Sequence, residues 1–301
     1  MSKPASLQLQ TIVVATDLTQ TSVAALDYAR LLAFKCGARV ILAHVIDPLS
    51  YANLADVPPT VMDQLGGEAQ KRIDQLSDEL LSAGIPSHSV VRQGLVADLL
   101  LQVAAQYHAD LLVLGTERAE GAGPVALGSV AEQLVRRAAC PVLAVAADAV
   151  QPDVEHAFIG GHILVPVQRT TASISVLSTA QVLAAQFAGD IILLHVRSEE
   201  EIAAQLNPCA QGLSFPMTEP RVSIRCLVRD GDPAAVIANT AKQYRASMIV
   251  LTVNRESRRG HGLHGTAFEV IANSRVPVLC VPAPRGAEVE SSPQPEVVGA
   301  C

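Results

Sequence analysis

The chain has 301 residues, of which 50% are hydrophobic and only 3% aromatic, with a formal net charge of −7 at pH 7. That charge offers no basic surface to nucleic acid, and no apolar run approaches the roughly 18 residues that a membrane-spanning helix needs. The first residues have no apolar signal region and the six cysteines show no Cys-x-x-Cys spacing. We therefore expect a cytoplasmic protein with neither a zinc ribbon nor a thioredoxin-like motif.

The first half of the chain alternates short apolar runs with helical stretches, as is typical of a parallel sheet buried on both faces. The predicted strands span residues 11–15, 40–46, 89–92, 111–114 and 141–146. Helices are predicted at 22–35, 61–83, 96–107 and 129–137, with Gly37 and Gly84 ending the first two. The segment from Asp47 to Pro59 is predicted to be a loop over the carboxyl edge of the sheet.

The second half repeats this order because the chain contains a duplicated unit. Residues 91–118 match residues 228–255 at a displacement of 137, and Ile12-Val-Val-Ala15 returns 151 residues later as Ile163-Leu-Val-Pro166. We predict a first domain at 1–147, a linker at 148–160, a second domain at 161–284 and a disordered tail at 285–301. Each domain is predicted to be an α/β fold, an open doubly wound sheet of about five mostly parallel strands with helices on both faces.

Ligands bind such sheets outside the carboxyl ends of the strands, where this sequence places glycines. Gly115 follows one apolar run, and Gly128-Ser129-Val130 opens a predicted helix. Backbone N–H groups at such a helix start can hold a phosphate, and Ser129 can add a hydroxyl donor. The structural alternative is a capping box, because Ser129 precedes Glu132, and Thr266 precedes Glu269, by three residues.

The ordered set of motifs resembles the universal stress protein family, in a tandem form that covers both copies. The motifs are Ala15-Thr-Asp17, Leu42-Ala-His-Val45, Leu114-Gly115, Gly128-Ser129-Val130 and Cys140-Pro-Val-Leu143. The resemblance implies an adenine-nucleotide α-hydrolase-like fold and a regulatory or binding module of the stress response. It also implies that the first domain binds ATP or a related nucleotide, with the involvement of Mg²⁺ left open. From the ATP-binding members of that family, the resemblance implies that Ala15, Asp17 and Val45 line the adenosine end of the site. It implies that the phosphates are held by Gly115, Gly128, Ser129 and Val130.

Arg118 stands where the resembled pattern has its second glycine, and its role has two interpretations. Its guanidinium would bind phosphate oxygens as a further nucleotide ligand, or its side chain would fill the pocket and exclude the nucleotide. The second copy departs further from the pattern. There Gln168 replaces Asp17, Thr252 replaces Gly115, and Arg255 again stands at the second glycine. We therefore predict that any nucleotide binds the first half only.

Two classes of function follow, a nucleotide-binding stress module and a protein-interaction module of the same fold with both sites degenerate. No nucleophile is paired with a base, so we expect no catalytic residue and at most a weak ATPase. We expect no metal site, because the strand histidines His44 and His195 are predicted to be packed and hydrogen-bonded. The expected partners are a nucleotide and proteins that the sequence does not identify, without nucleic acid or membrane.

Each copy ends in a predicted strand, at residues 141–146 and 277–281, that would be an exposed sheet edge if the copies stood apart. Single-domain members of the resembled family often dimerise through this strand. The two terminal strands are therefore predicted to pair within one chain, around a pseudo-two-fold axis. The product would be an intramolecular pseudo-dimer, with higher homo-oligomers left open.

Overall fold

The computed structural model describes residues 9–48, 59–116, 127–149, 161–167, 172–197, 202, 222–253 and 263–283. The first half contains β1 (Thr11–Ala15), α1 (Thr21–Cys36), β2 (Arg39–Ile46), α2 (Pro59–Ser82), β3 (Ser87–Gln93), α3 (Val96–Gln106), β4 (Leu111–Thr116), α4 (Ser129–Arg137) and β5 (Val142–Ala146). The second half contains β6 (His162–Pro166), α5 (Ala172–Gln186), β7 (Asp190–Arg197), β8 (Ile224–Asp230), α6 (Pro233–Gln243), β9 (Ala246–Val253), α7 (Leu263–Asn273) and β10 (Val278–Pro282).

The predicted fold class is confirmed, with helices packed on both faces of a mostly parallel sheet. Every residue of β1 and of β5 is buried, because unbroken apolar strands leave no side that can face water. Two apolar clusters lie on opposite faces of the sheet, one under α1, α2 and α5 and the other under α3, α4, α6 and α7. Gly37 ends α1 with a φ of 66°, a left-handed conformation that glycine adopts without strain.

The two halves share one ten-stranded sheet, in the order β3-β2-β1-β4-β5-β10-β9-β6-β7-β8. Among the described strands, all pairings are parallel except β5 with β10, which is antiparallel. Leu143 pairs with Leu279, its counterpart in the repeat, while Val142 pairs with Cys280 and Ala144 with Val278. Equivalent residues therefore face each other across a pseudo-two-fold axis, and the predicted pairing of the terminal strands is confirmed.

The strand order also determines where a ligand site can form. In the first half the chain leaves β1 towards β2 and β3 on one side, then returns to β4 and β5 on the other. The carboxyl ends of β1 and β4 therefore flank the point at which the connections diverge, which leaves a crevice. Because β5 and β10 run in opposite directions, the corresponding crevice of the second half lies at the opposite edge of the sheet.

Several sequence predictions fall outside the described residues. These are most of the loop between Asp47 and Pro59, most of the linker at 148–160, and the tail at 285–301. The domain boundaries stay predictions. Among the described helices, none combines the length and the apolar character that crossing a bilayer requires.

Candidate functional site

A cleft of about 860 Å³ opens at the carboxyl ends of β1, β2 and β4, bounded also by α2 and the start of α4. This volume lies within the range of small-molecule sites, about 300–1,000 Å³. The structure brings together seven of the eight predicted site residues along its walls: Ala15, Asp17, Val45, Gly115, Gly128, Ser129 and Val130. The eighth, Arg118, lies outside the described residues. That these residues bind a ligand stays a prediction.

Side-chain hydrogen bonds hold the loop after β1 in a compact turn. Thr16 Oγ1 accepts a hydrogen bond from the Leu18 N–H at 3.0 Å and lies 2.8 Å from Ser22 Oγ. Leu18 has a φ of 63°, which is uncommon for a residue with a Cβ. The Ser22 hydroxyl donates to the Thr19 carbonyl at 3.0 Å and so ties the loop to the first turn of α1. The turn places Asp17 on the wall of the cleft.

Asp17 offers the cleft an exposed hydrogen-bond acceptor. Its Oδ1 accepts hydrogen bonds from the Thr19 N–H at 2.9 Å and from the Thr19 hydroxyl at 2.7 Å. Partial burial acts to raise the pKa of Asp17, but the bonds from Thr19, with a smaller contribution from the Ser22 hydroxyl, hold that pKa below its ordinary value. The ionised carboxylate can only accept hydrogen bonds, so it suits the hydroxyl or amino donors of a nucleoside. It does not cap α1, whose N-cap is Gln20.

The start of α4 presents backbone donors to the cleft. Gly128 is the N-cap, and the Glu132 N–H makes a 2.9 Å bond to its carbonyl. The N–H groups of residues 129–131 precede the first bond of this helix, where the helix dipole favours an anion. Gly128 has a φ of −56°, open to any residue, and a Cβ built there meets no atom within 4 Å. Neither strain nor packing requires glycine here, and a phosphate approaching the backbone would use the open space.

The prediction of capping boxes at Ser129 and at Thr266 is wrong. Ser129 is the first residue of α4 rather than its N-cap, and Glu132 instead pairs with Arg136, with 2.9 Å between Oε1 and Nη2. Thr266 lies inside α7, which begins at Leu263. The pattern Ser/Thr-x-x-Glu identifies a helix start without fixing which residue is the cap, since the same spacing also occurs within a first turn. Ser129 is therefore exposed on the cleft wall with no capping role.

His44 on β2 and His195 on β7 are packed and hydrogen-bonded, as predicted. His44 Nδ1 lies 2.9 Å from the Thr16 carbonyl, and His195 Nδ1 lies 3.2 Å from the Val167 carbonyl. A carbonyl oxygen can only accept, so each ring donates from Nδ1 and holds the residue that follows β1 or β6. In the part of the chain that the structure describes, no three His, Cys, Asp or Glu side chains are grouped to hold a metal ion.

Helix α2 forms one wall of the cleft, which the sequence patterns did not predict. Four side chains on one helical face line the cleft: Leu65, Glu68, Ala69 and Arg72. Their spacing of three and four residues is a usable signal, but it marks a shared face without saying what that face meets. Arg72 Nη2 also donates to the Leu18 carbonyl at 2.9 Å, so α2 contacts the loop that carries Asp17.

The second half lacks two side-chain features of this cleft. Val167 stands at the position equivalent to Thr16, so the Thr16 hydroxyl has no counterpart there. Thr252, half-buried on β9, replaces Gly115 of β4 and adds a side chain at the strand end. The other replacements predicted from the sequence lie outside the described residues: Gln168 and Arg255.

The helix start of the second half differs as well. Helix α7 begins at Leu263, so Gly265 and Thr266 lie within its first turn. In the first half the equivalent Gly128 precedes the helix. The backbone N–H groups of the second copy are thus shifted along the helix, away from the position that a phosphate would need at the tip of the helix.

Comparison with known sequences finds the same family in both halves. A model of the universal stress protein family matches residues 8–146 and 161–282. Universal stress protein MJ0531 of Methanocaldococcus jannaschii is 30% identical over 139 residues, which are 44% of this chain and 80% of that protein. A universal stress protein of Thermus aquaticus is 30% identical over 142 residues, which are 45% of this chain and 98% of that protein.

Two crystal structures resemble the whole tandem arrangement. One, of a universal stress protein from Archaeoglobus fulgidus, has a TM-score of 0.71 at 19% identity and covers 91% of this chain and 99% of that chain. The other, of a functionally unknown protein PA1789 from Pseudomonas aeruginosa, has a TM-score of 0.63 at 16% identity and covers 93% and 95%. At these identities the likeness shows the fold alone.

Proposed function

The chain belongs to the universal stress protein family, and we propose that its first half binds one adenine nucleotide such as ATP. In this proposal the cleft beside β1 and β4 holds the nucleotide, and the protein acts as a regulatory module of the stress response. The predicted cytoplasmic location is part of the same proposal. Hydrolysis of the nucleotide is not required for this role, because binding alone can shift the protein between conformations and so change its affinity for a partner protein.

The start of α4 carries the proposal. Gly128 borders open space although neither its φ nor its packing needs glycine, and three backbone N–H groups follow it. An anion at this point would meet both the donors and the positive end of the helix dipole. The Ser129 hydroxyl on the same wall would add another donor to a phosphate oxygen.

The other end of the cleft suits a nucleoside. Asp17 supplies an ionised acceptor, while Ala15 and Val45 supply an apolar surface on β1 and β2. An apolar wall with few, well-placed polar groups is the usual make-up of a site for a small organic ligand. The order of these groups along the cleft, nucleoside end first and phosphate end at α4, follows the family pattern.

A matched pair of glycine substitutions tests the proposal. Gly128→Ala would place a methyl group in the proposed phosphate position, and we expect ATP binding to weaken by about tenfold, or about 1.4 kcal/mol. Gly265→Ala changes the equivalent residue of the second half, where the nearest atom to a new Cβ lies 3.9 Å away, and should leave affinity unchanged. Calorimetric titration of the full chain, with and without Mg²⁺, measures both. Equal weakening by the two substitutions, or weakening by Gly265→Ala alone, would contradict a first-half site.

One observation favours the second candidate, a protein-interaction module that binds no nucleotide. The described cleft wall carries three acidic side chains, Asp17, Asp47 and Glu68, against a single guanidinium, that of Arg72. Such a wall disfavours a polyanion unless a cation accompanies it. Nucleotide released by heat from freshly purified protein distinguishes the candidates. Adenine nucleotide in the supernatant supports the leading proposal, while protein that carries none and binds none in titration supports the interaction module.

A further inference from the structure

We infer that Arg72 is a positioning residue of the cleft, which fixes Asp17 by holding the turn between β1 and α1 from α2. The inference deepens the proposed function and rests on it for the ligand. Arg72 belongs to neither the glycine motif nor the strand ends, and only the folded structure brings it to the site. In the part of the chain that the structure describes, it makes one side-chain hydrogen bond, which is exposed and runs from Nη2 to the Leu18 carbonyl at 2.9 Å.

The turn needs an external support because its own geometry is unusual. Leu18 follows Asp17 directly and has a φ of 63°, a conformation that costs a non-glycine residue free energy. Inside the turn, the Leu18 N–H is held by Thr16 Oγ1 at 3.0 Å. The Leu18 carbonyl is held from outside, by Arg72. Both backbone polar groups of Leu18 are thereby hydrogen-bonded. Thr19, which donates to the Asp17 carboxylate from its N–H and its hydroxyl, belongs to the same turn, so the order of the turn sets the direction of Asp17.

Helix α2 can serve as this support because it is anchored to the edge of the sheet just beyond Arg72. Asp74 accepts hydrogen bonds from the Ser89 hydroxyl on β3 and, at 2.8 Å, from Gln70 Nε2. One turn further on, the Ser77 and Ser87 hydroxyls lie 2.8 Å apart. These contacts fix α2 against β3, so the backbone from which the Arg72 side chain extends has a defined position relative to the sheet.

The position of Arg72 links this support to the ligand. Arg72 and Asp17 both line the cleft, and among the described lining residues Arg72 is the one Lys or Arg. A carboxylate that selects hydrogen-bond donors must be held within a fraction of an ångström of its working position. Loss of the Arg72 contact should therefore weaken binding through Asp17 rather than through a lost contact to the ligand.

Lys71 provides a matched control for the charge. It is the neighbouring residue on α2, is exposed and does not line the cleft. Arg72→Met and Lys71→Met each remove one positive charge from the same helix and keep an unbranched apolar stem. The loss of one net charge is common to both variants, whereas only Arg72→Met removes the bond to Leu18 and a charge that lines the cleft. The ligand-free exchange measurement and the Asp17 cycle separate those two losses.

Amide hydrogen exchange of the ligand-free full chain tests the support without a nucleotide. The Leu18 and Thr19 N–H groups donate to side chains inside the turn, so their exchange reports its order. We expect Arg72→Met to speed exchange at both amides by about tenfold, with Lys71→Met at the wild-type rate and Arg72→Lys, which keeps a donor, in between. Unchanged exchange in Arg72→Met, or equal acceleration in both methionine variants, would overturn the inference.

Titration with ATP then tests the coupling to Asp17 by a double-mutant cycle. We expect Arg72→Met to weaken ATP binding about tenfold in the wild-type background but by less than about twofold in Asp17→Asn, because the arginine acts through the carboxylate. An equal loss in both backgrounds would overturn the positioning role. If the wild-type chain binds no ATP, the proposed function fails, and the exchange result alone still decides whether Arg72 supports the turn.

Discussion

Cys280 shows how fully the interior of the sheet excludes water. Its side chain is 2% exposed on β10, beside the joint between the halves, and burial raises the pKa of its thiol to about 12. Cys226 lies on the edge strand β8 and is exposed. Because the thiolate is the nucleophile, the two residues should differ strongly in reactivity.

We expect iodoacetamide at about pH 8 to alkylate Cys226 in the native protein while Cys280 stays unmodified, since almost none of its thiol is ionised below a pKa of about 12. Peptide mass spectrometry over time gives the two rates. In denaturant, Cys280 should react as fast as Cys226, which controls for digestion and detection. Equal rates in the native state would mean that β10 opens readily and that the joint is loose.

The position of Arg118 in the sequence leaves two interpretations open, in which its guanidinium binds phosphate or its side chain fills the pocket. Arg255 occupies the same position in the second copy, which lacks most of the site, so a structural role common to both arginines is the simpler interpretation. A structural role favours the interpretation in which the side chain fills the pocket and hinders the nucleotide. We therefore predict that Arg118→Gly raises ATP affinity, at some cost in the order of its loop. Calorimetry of the full chain measures the change. Weakening of about tenfold would instead make Arg118 a phosphate ligand, worth about 1.4 kcal/mol.

At the level of single residues, the sequence predicts the cleft residues at the strand ends but not those that α2 contributes to the opposite wall. Asp17, Gly115 and Gly128 directly follow apolar runs or open a helix, and the carboxyl ends of parallel strands always share an edge. Arg72 lies in the middle of a predicted helix. Whether its side of the helix faces the cleft depends on how α2 packs on β3 through Asp74 and Ser77. That docking is a tertiary event, which the local pattern does not encode.

At the scale of elements, α2 contains two adjacent glycines beside the cleft residues Leu65 and Glu68. A Cβ built at Gly66 or at Gly67 meets no atom within 4 Å, so packing does not require glycine at either position. Glycine in a helix interior costs about 0.5–1 kcal/mol relative to alanine. The wall of the cleft is therefore built from a weakened stretch of helix.

Gly66→Ala and Gly67→Ala should each raise the free energy of unfolding by about 0.5–1 kcal/mol, because alanine restricts the unfolded chain and fits the helix. Gly37→Ala is the matched control, since a Cβ there also meets no atom within 4 Å but the φ is 66°. It should destabilise by about 1 kcal/mol. Urea unfolding gives all three values, and destabilisation by either α2 substitution would show that a close contact depends on the glycine.

The order of strands and helices could be predicted because apolar period and length are local signals. Helix α4 was predicted at 129–137 and occupies Ser129–Arg137. The start of α7 could not be found in this way, since the pattern around Thr266 and Glu269 indicates a cap while the helix already begins at Leu263. Helix ends depend on competing caps and on neighbouring loops, and the pattern of a single segment leaves them ambiguous.

At the scale of the whole molecule, the antiparallel pairing of β5 with β10 joins the two duplicated domains into one sheet, although their cleft residues differ. Leu143 and Leu279 pair at its centre, both buried, and Arg136 of α4 lies 4.4 Å from the centroid of the Phe268 ring of α7. The joint covers two strands that would otherwise be free edges. It also sends the two carboxyl edges to opposite sides, so the altered second edge cannot complete the first cleft.

The number of nucleotides bound per chain tests the proposed function most directly. Equilibrium dialysis of the full chain against radiolabelled ATP, with and without Mg²⁺, measures it at saturation without assuming a site. We expect one ATP per chain at saturation in the wild type and in Gly265→Ala. At a lower free ATP that half-fills the wild type, we expect reduced occupancy in Gly128→Ala alone. Two ATP per chain would mean that the second half is also a working site, and none would exclude the nucleotide proposal altogether.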